Sequence, residues 1–472
     1  MSGKYKPQVS LGCESHVMQW NPVLNIYRVN RYPVLTLEDK IKNFRYEEER
    51  LDFVEELLDR NLDHCANLVL SFFNFHELMG LQLVSQTWNQ FICTFVFKRR
   101  VERFIQQDES LQELAEIEGW SHQLFKPIHK VSEPYLYKKM CAKVYLLKDV
   151  WRFREPKAKR LFCDSFVLSV RSDDTVIFCG LNNGCVQAWD ISYLGRIREQ
   201  ECHDKGVKCI DFNSSVFLTG SYDMMFKVWR RDNWTCLKTF PVHTDSVWDL
   251  KLHNDVVVTA GLDGAVIVYD FISNYDLNIR CYIQAHGDLV SAVDFSSTHL
   301  VAGFEDALLS VWDIASGNKV HSLTGHSGGV TGIQIQGHLA ASASYDTTVR
   351  LWDVEQGVCL ITLTEHDNFA RCVGFVGNRI VSGDFGGNIL LWDLSFNQSD
   401  SGPKVTVINK RQWQSHKGHV VCIQLNARRI ISGSRDRTLM INDFWLKTMN
   451  ALESKKTSDN PKYSRFLKRP LH

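Results

Sequence analysis

The stretch GHSGGVTGIQIQGHLAASASYDTTVRLWD, residues 325–353, decides the fold. It opens on His326, runs through two short apolar segments to a turn ending in Asp346, and closes with TVRLW and the pair Trp352-Asp353. The same frame recurs along the chain. His203, His243, His286, His326, His366 and His416 each stand 26 residues before Trp229, Tyr269, Trp312, Trp352, Trp392 and Asn442. A copy without the histidine precedes these, VLSVRSDDTVIFCGLNNGCVQAWD, and its Trp189-Asp190 falls 40 residues before Trp229.

A period near 40 residues, with His at the start and Trp-Asp at the end, is the signature of WD repeats, each of which forms one blade of a β-propeller. Seven frames predict a seven-bladed ring over residues 161–446. Each blade's sheet is covered on both faces by its neighbours, so strands such as VWDLKL and VVVTAG read as near-continuous apolar runs. An Asp six residues before the closing aromatic position, at Asp223, Asp263, Asp306, Asp346 and Asp436, belongs in a strand-joining turn. There its carboxylate accepts the ring N–H of the blade's own His, because a buried polar pair must be mutually satisfied. Pairs scattered over several blades cannot converge on one substrate, so they are structural and not acid–base catalysts. Blade one has Asn183 and blade six Gly386 at the Asp position, which predicts that these two blades are softer.

The 472 residues allow two or three domains, and an apolar content of 44% is that of an ordinary globular chain. Lys plus Arg equals Asp plus Glu at 54 each, so no global field favours nucleic acid or an anionic membrane. The first thirty residues lack a basic segment followed by an apolar stretch, and no apolar run reaches about 18 residues. A cytoplasmic protein is expected, with the basic tail admitting the nucleus as well. None of the 14 cysteines forms a C-x-x-C, and Cys209, Cys372 and Cys422 fall beside Val and Ile in predicted strands, which reads as buried inert thiols. No metal or cofactor is expected. No Gly-rich phosphate loop or nucleophile elbow is found, so the chain reads as a non-enzyme.

In chain order, residues 1–36 are read as irregular, with Pro7, Pro22 and Pro33. Residues 37–58 read as an amphipathic helix with Ile41, Phe44, Phe53, Val54, Leu57 and Leu58 apolar, either packed on the next domain or pairing with a second copy of the chain. Over 51–94 a helical hairpin is predicted. Leu62, Cys65, Ala66, Val69, Leu70 and Phe73 share one face of its first helix; a second helix follows Asn74, with Glu77 completing a capping box, and carries Leu78, Leu81, Val84, Trp88 and Phe91. Residues 95–160 read as a helical linker, and Arg160–Cys163 as the strand that closes the ring onto its last blade. The insertion SFNQSDSGPKVTVINKRQWQ, residues 395–414, reads as a surface loop. The tail 447–472, with Lys455, Lys456, Lys462, Arg465, Lys468 and Arg469, reads as disordered and basic.

The segment LDHCANLVLSFFNFHELMGLQLVSQTWNQF, residues 62–91, has the order of an F-box: a helix, a turn after a double aromatic, then L-x-x-x-x-x-V-S-x-x-W. With the Gly119-Trp120 pair, the VWRFR segment and the seven repeat frames, the chain resembles the beta-transducin-repeat-containing (β-TrCP) class of F-box/WD-repeat proteins over roughly residues 37–446. The resemblance implies an α+β multidomain chain, an N-terminal helical F-box and helical linker followed by a seven-bladed WD-repeat β-propeller. It implies a non-catalytic substrate receptor of an SCF-type cullin-RING ubiquitin ligase. The F-box docks a Skp adaptor on a cullin scaffold while the propeller holds a substrate degron for ubiquitination and proteasomal degradation. Leu62, Leu70, Phe72, Val84 and Trp88 are the adaptor-binding candidates. Where the class opens its F-box with Leu-Pro, this chain has Leu57-Leu58, which lengthens the first helix. The alternative reading is a WD-repeat scaffold whose degenerate F-box recruits no ligase.

Side chains at the ring's top opening come from fixed positions: three and five residues after each blade His, and one before each turn Asp. The substrate-binding candidates among them are Lys208, Tyr222, Trp248, Tyr345, Arg371, Phe385, His419 and Arg435, a set crowded with aromatics. By the resemblance, four arginines that grip a doubly phosphorylated degron would fall at Asn182, Gly328, Arg371 and His419, and a phosphate-binding tyrosine at Leu168. One arginine of the four is retained. Lys208 and Arg435 add positive charge that Glu305 partly offsets, so a doubly phosphorylated degron is expected to bind weakly, and a more apolar peptide with one acidic or phosphorylated residue near Arg371 better.

Overall fold

The structure, a computed structural model, describes residues 9–11, 16–18, 57–58, 62–120, 124, 136–272, 276–284, 289–399 and 402–445. It divides into two compact units, Met1–Ile92 and Cys93–His472. The amphipathic segment predicted over 37–58, apart from 57–58, and the tail after 445 lie outside the described residues. No helix among the described residues is long and apolar enough to cross a membrane.

In the first unit, β1 (Val9–Leu11) and β2 (His16–Met18) pair antiparallel, where the sequence suggested irregular chain. Then come α1 (Asp63–Ser71), α2 (Phe75–Leu81) and α3 (Gln86–Phe91). The capping box forms as expected: the Glu77 N–H donates to Asn74 Oδ1 at 3.0 Å, and the Asn74 N–H to Glu77 Oε2 at 2.6 Å. The single second helix predicted through Phe91 is instead two. Gln82 caps α2, and Ser85, in extended backbone, accepts the Trp88 N–H at 3.2 Å and starts α3. A serine hydroxyl competes well for a free helix-start N–H, and that local bond breaks a pattern that apolar spacing alone reads as continuous.

A π-helical segment (Ile92–Val96) begins at the last residue of the first unit, and the second unit continues with α4 (Phe97–Gln107), α5 (Glu109–Ile117) and α6 (Leu136–Phe153). α6 buries Tyr137, Met140, Cys141, Val144, Leu147, Val150 and Trp151, a stripe at helical spacing. Its end is fastened to the blades. Trp151 stacks on Phe444 with ring centroids 3.6 Å apart, the Arg379 guanidinium lies 4.7 Å over the indole, and Arg411 donates to the carbonyls of Trp151 and Arg154 at 2.8 and 2.7 Å.

The rest is a ring of seven four-stranded antiparallel sheets. Blade one is β4–β7 (Val167–Glu201), two β8–β11 (Val207–Pro241), three β12–β15 (Val247–Gln284), four β16–β19 (Val290–Leu323), five β20–β23 (Val330–Leu363) and six β24–β27 (Ala370–Gln414). Blade seven is β28–β30 (Val420–Asp443), completed by β3 (Lys157–Phe162) from the other end of the chain. The closing strand thus begins three residues before the predicted Arg160. Between blades lie the cores. Trp352 of blade five packs with Val301, Leu309 and Val311 of blade four, and Trp189 of blade one with Ile431, Leu439 and Ile441 of blade seven. The insertion in blade six is not a loop: β26 (Asn388–Ser399) and β27 (Gly402–Gln414) pair along its length, with one register shift at Asp393/Leu394. Val405, Thr406, Val407 and Ile408 supply β-branched residues that the flanking Ser, Asp and Gly obscured in the sequence.

The repeat frame acquires its physical meaning here. His203, His243 and His326 hold Asp223, Asp263 and Asp346 through Nδ1 at 2.8, 3.0 and 2.8 Å. Their Nε2 atoms lie 2.7, 2.9 and 2.7 Å from the hydroxyls of Thr219, Thr259 and Ser342. The indoles of Trp229 and Trp352 donate to those of Thr219 and Ser342 at 2.9 and 2.8 Å. Each Asp also accepts the N–H two residues on, as Asp346 does from Thr348 at 2.9 Å, an Asx turn whose next residue takes positive φ. That residue is Gly184, Met224, Gly264, Ala307, Thr347, Gly387 or Arg437 in the seven blades. Glycine is required at Gly184, where a Cβ would stand 2.0 Å from the His203 carbonyl oxygen. His286 is outside the described residues.

Blade six corrects the expectation attached to Gly386. Asp384, two residues earlier, supplies the missing carboxylate, accepting the Asn388 N–H at 2.9 Å and lying 3.3 Å from His366 Nδ1. In blade one, Asn183 holds the turn alone through the Cys185 N–H at 3.3 Å.

Candidate functional site

Two surfaces carry the residues singled out in the sequence. On the first unit's helices, Leu70 is fully buried with Ala66 and Leu78, so it is core of the helices and not available to a partner. Leu62 and Trp88 are half-buried. Phe72 is 80% exposed and Val84 56%, and Leu68 and Leu83, which helical spacing did not single out, are exposed with them. Leu68 and Phe72 follow at i, i+4 on α1 and its cap, while the α2–α3 break leaves Leu83 and Val84 in a turn without helical neighbours. Helical periodicity assigns Val84 to a buried face; the break turns it out.

The second surface is the ring's opening. In every blade, the residue before the turn Asp donates its N–H to the carbonyl of the residue three after the His position. Asn182 to Phe166, Tyr222 to Gly206, Leu262 to Ser246, Glu305 to Leu289, Tyr345 to Gly329, Phe385 to Phe369 and Arg435 to His419 form this ring of bonds, at 2.9–3.3 Å. Two loops per blade are thereby sewn together, and the predicted side chains are brought to one rim. Phe166 of blade one, exposed and beneath the Arg437 guanidinium at 5.6 Å, belongs to this rim; the absent histidine of that blade hid it.

The rim carries an aromatic cluster and a cationic one. Across blades five to seven, Tyr345, Phe369 and Phe385 meet edge to face, with centroids 5.6, 6.1 and 5.7 Å apart, and His419 packs on Phe385 at 4.3 Å. Phe369 is 51% exposed. The cationic cluster gathers side chains of blades two, three and six. Trp248 reaches into the mouth, with Lys208 Nζ 4.9 Å and the Arg371 guanidinium 6.0 Å from its ring and Tyr222 5.7 Å away. Burial, with the nearby Arg371, lowers the pKa of Lys208 despite Asp249. Burial, then Arg435 and Arg371, lowers that of His419. Among the described residues no carboxylate forms an ion pair with Lys208, Arg371 or Arg435. The buried Trp248 Nε1 has no acceptor there either. Of the other positions matched to family arginines, Gly328 admits no side chain, since a Cβ would stand 2.8 Å from the Asp346 nitrogen. Leu168 is buried.

Below the mouth the channel is a bonding layer. Side chains on the innermost strands accept backbone N–H groups of the next blade: Asp211 from Leu252, Asp249 from Val293 and Asp294 from Ile335 at 3.0 Å, Gln334 from Phe375 at 2.9 Å and Gln424 from Ser172 at 2.6 Å. Arg171 lies 3.5 Å from Asp211, which, ahead of burial, raises its pKa. No three His, Cys, Asp or Glu side chains among the described residues could hold a metal ion.

Comparison with known proteins agrees with this architecture. The profile of the WD domain, G-beta repeat, matches residues 195–230, 234–270, 317–353 and 357–393. The chain is 32% identical over 201 residues to the F-box and WD repeat domain-containing 11-A protein of Danio rerio, covering 41% of this chain and 29% of that one. It is 27% identical over 209 residues to the U3 small nucleolar RNA-associated protein 15 homolog of Xenopus tropicalis, covering 42% of this chain and 38% of the relative. With the periodic tryptophan protein 2 homolog of Caenorhabditis elegans it shares 24% identity over 188 residues, 38% of this chain and 20% of the other. The chain therefore spans well under half the length of these relatives.

Proposed function

We propose, from the premise that this chain is a WD-repeat protein with a seven-bladed propeller, that it is the non-catalytic substrate receptor of an SCF-type ubiquitin ligase. Its N-terminal helices dock a Skp adaptor carried by a cullin scaffold. Its propeller mouth holds a degron of the protein to be ubiquitinated and degraded. Its contribution is proximity, a raised effective concentration of substrate lysines near a charged ubiquitin carrier, and it makes or breaks no bond itself.

The observation that carries this reading is the exposed apolar set Leu68, Phe72, Leu83 and Val84 on helices that already resemble an F-box. Four large apolar side chains left in water on so small a helical unit mark a protein-binding surface. The relative from Danio rerio, named for an F-box and WD repeats, supports the pairing of the two parts. Co-expression with a Skp adaptor and a cullin is the test. A stoichiometric complex is expected, with Phe72→Asp and Val84→Asp each weakening it by about tenfold or more while the propeller's unfolding temperature stays unchanged. A folded chain that leaves the adaptor unbound sinks the reading in favour of a WD-repeat scaffold, which relatives with other names also support.

A further inference from the structure

The charge and shape of the propeller mouth define its ligand more narrowly than a generic peptide, and that ligand rests on the receptor reading of the same mouth. Three cations, Lys208, Arg371 and Arg435, belong to the rim without a carboxylate partner among the described residues, and Glu305 stands exposed on the same rim. Arg371 donates at 3.4 Å to the Thr331 carbonyl, which leaves most of its five N–H groups unused. Lys208 Nζ and the Arg371 guanidinium stand 4.9 and 6.0 Å from the ring of Trp248, which gathers the two cations at one place on the rim. Against this cluster stands the wall of Tyr345, Phe369, Phe385 and His419, open to solvent at Phe369.

We propose that the mouth takes a peptide segment carrying one anionic side chain, a carboxylate or a monophosphate, next to one bulky apolar side chain. The anion seats between Arg371 and Lys208 over Trp248, and the apolar group lies on Phe369 and Phe385. Charge count sets the limit of one. A second phosphate would bring the ligand to about four negative charges against three cations, an opposing Glu305 and the Asp249 carboxylate that already acts on Lys208. The position that would supply another arginine, Gly328, has no room for a side chain. His419, packed on Phe385 at 4.3 Å, extends the aromatic face.

The test uses the full chain and an array of synthetic peptides with randomised flanks. Each peptide places a serine, a glutamate, a phosphoserine or two phosphoserines beside a tyrosine, a leucine or an alanine. Binding is read by fluorescence anisotropy without adaptor, and adaptor assembly is scored separately on the same preparation. Singly anionic peptides with tyrosine or leucine are expected to bind about tenfold or more tighter than their serine or alanine counterparts. Glutamate peptides binding as well as phosphoserine peptides identify a carboxylate ligand, and phosphoserine peptides alone identify a phosphate. Arg371→Gln removes the preference for the anion, and Glu305→Gln, a surface change, strengthens it. Serine peptides that bind equally well, doubly phosphorylated peptides that bind tighter still, or no binding to any member overturn the proposal. A complete adaptor complex without peptide preference refutes this inference alone, whereas peptide preference without adaptor binding refutes the receptor reading alone.

Discussion

Asp346 serves four donors at once: its carboxylate accepts the Ser327 N–H at 3.0 Å, the Thr348 N–H at 2.9 Å and hydroxyl at 2.7 Å, and the His326 ring at 2.8 Å. Burial alone would raise its pKa, but these donors hold it down to about 2. A depressed carboxyl contributes stability that is complete above its unfolded value, near 3.9, and is lost as pH falls through the folded value. Asp346→Ala is therefore expected to cost about 2–3 kcal/mol at pH 7, and the gap between variant and parent to close between about pH 4 and pH 2. Urea titrations across that range measure it; a constant gap would mean that the carboxylate charge is immaterial. His243 and His416 add a separate slope common to both proteins, and His326 one that steepens in the variant, which lacks the Asp346 charge that raises its pKa. Burial lowers their pKa, so the unfolded chain takes up protons first and stability falls as pH drops below about 6.5.

α6 is more than a spacer at the scale of elements, because its last turn is bonded to the ring. Helix carbonyls at a C-terminus lack intrahelical partners, and Arg411, a blade-six residue, satisfies those of Trp151 and Arg154. Burial lowers the pKa of Arg411 against the pull of Glu155 and Asp393, which fits a guanidinium held mostly by carbonyl oxygens. Trp151→Ala removes the stack on Phe444 and the seat of Arg379, at an expected cost of about 3–5 kcal/mol. Hydrogen exchange should accelerate over Leu136–Phe153 while the strands of blades two to five keep their protection. Unchanged exchange in α6 would mean that the helix is held elsewhere along its stripe.

For the whole molecule, closure is the decisive event. β3 pairs with β30 from Lys157↔Asp443 to Phe162↔Thr438, joining residues some 280 positions apart. The blade-seven sheet thereby gains its outer strand, and the closure loop helps cover the core shared with blade one, where Leu161 and Cys163 pack with Val167 and Ile431. Leu161→Pro loses one ladder N–H and a buried side chain and should cost about 3 kcal/mol or more. It should also lower the unfolding temperature and expose the β30 edge, which light scattering would register as aggregation. A conservative Leu161→Val should do neither; if Leu161→Pro melts with the parent, the ring does not depend on this strand.

Much of this was legible in the residues. The repeat offset fixed the number of blades and the His–Asp pairs, because a buried polar pair is demanded locally and recurs wherever its frame recurs. The rim positions followed from the same register, and the Asn74–Glu77 cap from four adjacent residues. What escaped depends on neighbours distant in sequence or on a local bond that outbids periodicity. Asp384 replaces the missing turn carboxylate from two residues away because the folded blade presents His366 to it. Ser85 breaks a helix that apolar spacing left whole, exposing Val84. Lys208, Trp248 and Arg371 come from blades two, three and six, and only closing the ring brings them to one mouth. Sequence by itself determined the repeating bonds inside each blade, since they join residues at constant separations; the tertiary structure alone decided which side chains share the opening, since that depends on contacts between blades.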